Sequence, residues 1–251
     1  DSLYENEWET RVYQNGAGCL SGNPVYYQYR SFDEYKLDGF NANVGIMWNM
    51  SRHITVGVVF KAPFKADLHH TNTTTTIQTF PEAPSSDTSS TNTFAADEKL
   101  DMPMSYGIGV AYRFSDAFSV SADVYRTEWD DFEQTDASGK KTSPVTGKPI
   151  HEADVDATTQ VRLGAEYLII KPKYLVPLRA GLFYDPAPAE GSPDDFYGVT
   201  AGTGLGIGGF IFDIAYQYRF GNDVAEYILE NNEFSMDVGE HTVYASLIIH
   251  F

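Results

Sequence analysis

Three groups of residues in this chain have types and spacings that could do chemistry. Gly204, Gly206 and Gly209, within "GVTAGTGLGIGGFIFD" (residues 198–213), spell the G-x-G-x-x-G of a dinucleotide-binding turn. Such a turn cradles a pyrophosphate only when a helix follows and aims its first N–H groups at the ligand. His69 and His70 offer imidazole nitrogens, and Asp123, Arg162, Glu166, Arg179, Asp213 and Arg219 offer charge. Two adjacent histidines suit an exposed loop better than a preorganised metal site. No Ser, His and acid stand at a spacing that pairs a nucleophile with its base, so the sequence puts forward no catalytic residue and calls for no cofactor.

The element around the glycines decides the first case. After Gly209 the chain reads "FIFDIAYQYRF", with Phe210, Phe212, Ile214, Tyr216, Tyr218 and Phe220 alternating with Ile211, Asp213, Ala215, Gln217 and Arg219. A period of two is a strand. The same parity runs upstream, where Val199, Ala201, Thr203 and Leu205 oppose Thr200, Gly202, Gly204 and Gly206. With a strand in place of the helix, the nucleotide reading loses its mechanical basis, and a tight turn is expected at Ile207 and Gly208.

Seven further segments alternate in the same way: 40–49, 54–61, 106–113, 118–125, 161–167, 176–183 and 242–251. A weaker tenth strand spans Tyr4 to Tyr13. Short turns are expected at 51–53, 115–117 and 171–173, and long connections at 14–38, 66–99, 130–156, 185–196 and 221–240. The hairpin "MWNMSRHITVGVVF" is echoed by "AYRFSDAFSVSADVYR". Repeated hairpins with short turns at one end and long loops at the other are the pattern of an all-β, antiparallel up-and-down transmembrane barrel of outer-membrane type.

Composition agrees. Aromatic residues make up 14% of the chain, yet the mean hydropathy is only -0.31, as expected where alternate residues alone face lipid. A net charge of -18 argues against nucleic acid as a partner. The single Cys19 excludes an internal disulfide. No apolar run is long enough for a transmembrane helix. The final strand, "VYASLIIHF", places Phe251 where outer-membrane assembly machinery reads a terminal aromatic residue. One barrel domain over 1–251 is the expectation, in contact with outer-membrane lipid and lipopolysaccharide.

The blocks "GFNANVGIMWNMSRHITVGVVFKAPF", "MPMSYGIGVAYRFSDAFSVSADVYRTEWDDFE" and the long run from Arg162 to Asp223 resemble the later strands of FadL/TodX-type outer-membrane transporters for fatty acids and hydrocarbons. The resemblance implies a fourteen-stranded barrel with an N-terminal plug, loops that collect a greasy substrate and passive uptake with lateral release. Nothing here resembles the plug, so the chain is expected to be the C-terminal part of such a barrel or a shortened relative. A barrel enzyme acting on lipids and a soluble ligand-binding β-domain are the alternative readings.

Hydrophobic uptake needs space and apolar surface rather than a nucleophile. Inward Gly109, Gly202 and Gly204 remove side-chain volume from the wall, either for a ligand or to permit bending and contact with a plug. Counting across the short turns sets Gly109 opposite Asp123, Gly202 opposite Asp213 and Glu166 near Arg179. The six charged residues are expected to form an interior network, with carboxylate binding by Arg179 as the sharper alternative. Tyr227, Leu229 and Phe234, in a loop rich in acids, are candidates for substrate capture. The run "HHTNTTTTIQTF" is expected to be a solvated loop.

Overall fold

The computed structural model describes residues 2–14, 25–81, 83–225 and 235–250, with 2–14 defined in backbone alone. Fifteen strands are present among them: β1 (Ser2–Gln14), β2 (Val25–Gly39), β3 (Asn43–Asn49), β4 (Ile54–Lys61), β5 (Phe64–Thr79), β6 (Thr88–Met102), β7 (Ser105–Arg113), β8 (Phe118–Thr127), β9 (Glu133–Thr135), β10 (Lys141–Thr142), β11 (Thr158–Ile170), β12 (Tyr174–Tyr184), β13 (Tyr197–Ile207), β14 (Phe210–Val224) and β15 (Met236–Ile249). They form a nine-stranded sheet in the order β15-β14-β13-β12-β11-β8-β7-β4-β3 and a six-stranded sheet in the order β1-β2-β5-β6-β9-β10. The chain divides into two compact units that follow these sheets, the first comprising Asp1–Phe40, Lys65–Asp101 and Gln134–Lys141, and the second the remainder.

In the second unit the nine strands are those the alternation marks, and each is antiparallel to its neighbours. One face is continuously apolar. Ile46, Ile108, Leu163, Leu182 and Leu247 all stand more than half exposed on it, which is stable only if hydrocarbon replaces water there. Rings gather at both ends of this face. Tyr184, Tyr197, Phe220 and Tyr218 follow one another at centroid distances of 5.2, 6.1 and 5.5 Å at the end of the long connections, and Tyr112, Phe114 and Phe118 at 4.6 and 5.2 Å at the end of the short turns. Aromatic rings at both edges of an apolar band are how a wall meets two lipid–water interfaces. The 11 residues of β13 that separate the two ends match the ~9–11 a tilted strand needs to span hydrocarbon.

One register differs from expectation. Gly202 pairs with Ala215, and it is Gly204 that pairs with Asp213. The two-residue turn falls on Gly208 and Gly209, with Ile207 paired to Phe210, because Gly208 takes φ +57°. A β-branched residue such as Ile207 resists that conformation, while a Gly-Gly dipeptide accepts it at no steric cost.

The first unit corrects the sequence reading more broadly. Segments 14–38 and 66–99, expected as long loops, hold β2, β5 and β6. They escape the alternation because neither face is continuously apolar. Side chains at 65, 69, 73 and 75 on β5 meet those at 101, 97, 93 and 91 on β6 as Lys–Asp, His–Asp, Thr–Thr and Thr–Thr pairs. On the opposite face of β5, His70 lies 3.0 Å from Asp33, and Asn72 donates to Asp33 at 2.7 Å and to Ser31 at 2.8 Å. Through this stretch of β2, β5 and β6 polar pairs interrupt both faces, and the period-two hydrophobic signal is silent there. The run "HHTNTTTTIQTF" is therefore largely β5, its threonines making ladders that suit their β-branched shape.

Two prolines mark where strands stop. Pro63 lies between β4 and β5, and Pro103 between β6 and β7. Neither has an N–H to continue a ladder.

Candidate functional site

The polar face of the nine-stranded sheet is organised in rows, because directly paired residues in successive strands fall side by side. The row nearer the long connections runs from Met47 and Gly57 through Gly109, Asp123, Arg162, Phe183 and Gly198 to Arg219 and Glu240. The row nearer the short turns includes Arg113, Ser119, Glu166, Arg179, Gly202, Ala215 and Tyr244. Between them lies a row without a single charge: Ala111, Ser121, Gly164, Gly181, Thr200, Gln217 and Thr242.

The charges expected to form one network thus form two sets, one on either side of a neutral strip. In the row near the short turns, Arg179 donates through Nε to Glu166 and through Nη1 to Asp213, each at 2.6 Å. In the other row, Arg162 lies 3.9 Å from Asp123 and donates to Gln160 at 2.8 Å. Arg219 donates to Glu240 at 3.1 Å, lies 3.5 Å from Asp185, and stacks its guanidinium 3.5 Å over Phe196. The carboxylates and guanidiniums of this face therefore hold one another across neighbouring strands.

Two concavities follow from the small residues. A groove of about 550 Å³ lies over the neutral strip, floored by Ser121, Gly164, Gly181 and Thr200 and flanked by Asp123 and Arg162 on one side and Glu166 and Arg179 on the other. A second bay of about 420 Å³ is lined by Gly45, Met47, Gly57, Val59, Gly107 and Gly109, with Asp123 and Tyr125 at its border. Its surroundings are apolar apart from Asp123. Wall glycines in β3, β4 and β7 supply its depth, and nothing lies within 4 Å of a Cβ built on Gly57.

The candidate glycines thus divide. Gly109 faces the bay and pairs with Asp123 as expected. Gly204 opens no space, because the Asp213 carboxylate lies over it and the Phe212 carbonyl oxygen would be 2.6 Å from an added Cβ. Gly202 sits against Ala215, whose Cβ would be 3.3 Å away. Tyr227, Leu229, Phe234, Phe251 and Cys19 lie outside the described residues. His69 and His70 fall on a strand rather than a loop and point to opposite faces of it, each toward a carboxylate. No group of three metal-ligating side chains forms among the described residues.

The neutral strip was missed in the sequence. Its signal was present in the coincidence of Ser121, Gly164, Gly181 and Thr200 at one level, but that level appears only once the registers are known.

Comparison with known proteins gives a family. The profile of the outer membrane protein transport protein family (OMPP1/FadL/TodX) matches residues 33–204. Among solved structures, the CymD monoaromatic hydrocarbon channel is 15% identical with a TM-score of 0.46, the match covering 98% of this chain and 73% of that one. The Pseudomonas putida toluene transporter TodX is 12% identical with a TM-score of 0.49, covering 98% and 68%. No curated protein matches the sequence.

Proposed function

Because the chain belongs to the OMPP1/FadL/TodX family of outer-membrane transport proteins, we propose that it carries hydrophobic small molecules inward along the polar face of its nine-stranded sheet. The work is transport across the outer membrane, not catalysis. The bay between Met47 and Val59 carries this reading. It is an apolar, glycine-floored hollow on a face that otherwise bears charge and hydroxyls. A long-chain fatty acid or hydrocarbon crossing the polar outer surface needs such shelter, because its exposed CH₂ groups each cost about 0.8 kcal/mol in water.

In this reading Gly109 belongs to the path, while Arg179, Gly202 and Gly204 stiffen the wall beside it. Tyr227, Leu229 and Phe234 supply an apolar landing surface, and Phe251 serves assembly. The whole chain acts as one barrel domain. Lipopolysaccharide meets the rim of the apolar face, where Tyr106 and Arg126 both donate to Glu128 at 2.8 Å.

The test is uptake of a radiolabelled long-chain alcohol by cells that lack such a channel, with and without the protein. Faster uptake with the protein is expected, and Gly57→Phe, which fills the bay from a position with free space, should return it toward background. Uptake equal to the empty control would overturn the proposal.

A further inference from the structure

We infer that this path is selective for neutral apolar molecules and turns away carboxylate anions; the inference rests on the uptake reading above. The two cations that line the groove, Arg162 and Arg179, already have carboxylate partners. Arg179 is held on two sides, by Glu166 and by Asp213 at 2.6 Å each. One guanidinium between two carboxylates leaves a net negative cluster at the edge of the path.

An incoming carboxylate reaching the N–H groups that Arg179 leaves open would sit beside Glu166 and Asp213, two carboxylates that already neutralise its single charge. The newcomer would then be a third negative charge on one guanidinium, and like charges at such range repel. Arg162, whose pair with Asp123 at 3.9 Å is looser, still spends a hydrogen bond on Gln160. Arg219 is occupied by Glu240, Asp185 and the face of Phe196.

Between these rows the strip from Ala111 to Thr242 has no charge, and the bay offers only Asp123 at its border. The groove, whose lining sets Asp123, Glu166 and Asp185 against Arg162 and Arg179, therefore gives an apolar body small neutral groups while presenting net negative charge to an anionic head; Lys61, over the Tyr125 ring, and Arg113 stand outside that lining. A hydrocarbon, an alcohol or a protonated acid meets no penalty there. An ionised fatty acid does.

The experiment compares uptake of a long-chain alcohol and the fatty acid of equal chain length at about pH 8, where a free carboxyl is ionised. The parent protein should move the alcohol about tenfold faster, the ratio that a like-charge penalty of about 1.4 kcal/mol gives. The double variant Glu166→Gln with Asp213→Asn frees Arg179 and should raise fatty-acid uptake several-fold while leaving the alcohol unchanged. Asp213→Asn alone, which keeps the Glu166 pair, should give a smaller rise and guards against a double variant that fails to fold, as judged by heat-modifiable gel migration.

Equal rates for acid and alcohol in the parent would overturn the inference while leaving the uptake reading standing. So would folded variants with unchanged acid uptake. Background rates for both compounds would overturn the uptake reading, and this inference with it.

Discussion

At the scale of single residues, a glycine in a wall is informative only through what a Cβ would meet. At Gly204 the added atom would press on the Phe212 carbonyl oxygen at 2.6 Å as well as on the Asp213 carboxylate. Backbone cannot step aside as a side chain can. Gly204→Ala should therefore cost about 1–3 kcal/mol, whereas Gly57→Ala, with open space around it, should stay within about 0.5 kcal/mol. The temperature at which the folded gel form disappears would compare the two directly. Asp33 supplies a second test. Hydrogen bonds first from His70 and then from Asn72 hold its carboxyl below the usual range. With the folded value below the unfolded one of about 3.9, its stabilisation is complete above that value and is lost as pH falls through the depressed folded value. Amide exchange in β2 and β5 should accelerate in that acidic window relative to the Asp33→Asn variant, which has no such carboxyl to protonate; identical pH dependence in both would refute the assignment.

At the scale of elements, the nine strands of the membrane wall could be read from alternation because one face is apolar throughout. The polar strands β2, β5 and β6 could not, since their pairing rests on Thr–Thr, His–Asp and Lys–Asp contacts whose partners lie far away in sequence. Positions along a strand were thus readable and levels across strands were not. Placing the last tight turn one residue early moved Asp213 from Gly204 to Gly202 and hid the reason that Gly204 must be glycine. The corrected register is testable. Cysteines replacing Leu205 and Phe212, which are direct partners, should cross-link on mild oxidation, while cysteines replacing Thr203 and Phe212, a diagonal pair roughly 7–8 Å apart, should not. A reversal of that pattern would return the turn to Ile207 and Gly208.

At the scale of the whole molecule, membership in an outer-membrane transport family and the two-faced sheet make one physical claim: the same wall meets hydrocarbon on one side and water or substrate on the other. That claim predicts opposite responses to one substitution at adjacent positions. Leu182 and Thr200 lie on neighbouring strands just inside the Tyr184–Tyr197 edge, Leu182 on the apolar face paired with Val199, and Thr200 on the polar face paired with Gly181. An arginine at Leu182 must hold its charge in hydrocarbon or bend it toward that edge, at about 1–3 kcal/mol, between the interfacial and midplane costs. An arginine at Thr200 enters a neutral strip flanked by Asp123 and Glu166, where water and carboxylates receive it. Leu182→Arg should therefore lower folded yield in lipid vesicles and the denaturant midpoint, and Thr200→Arg should leave both near the parent. Because Thr200→Arg also adds one positive charge that offsets the excess of carboxylates lining the groove, it should raise carboxylate uptake above the parent's, so one variant tests both which face meets lipid and how the charge of the other face selects what passes.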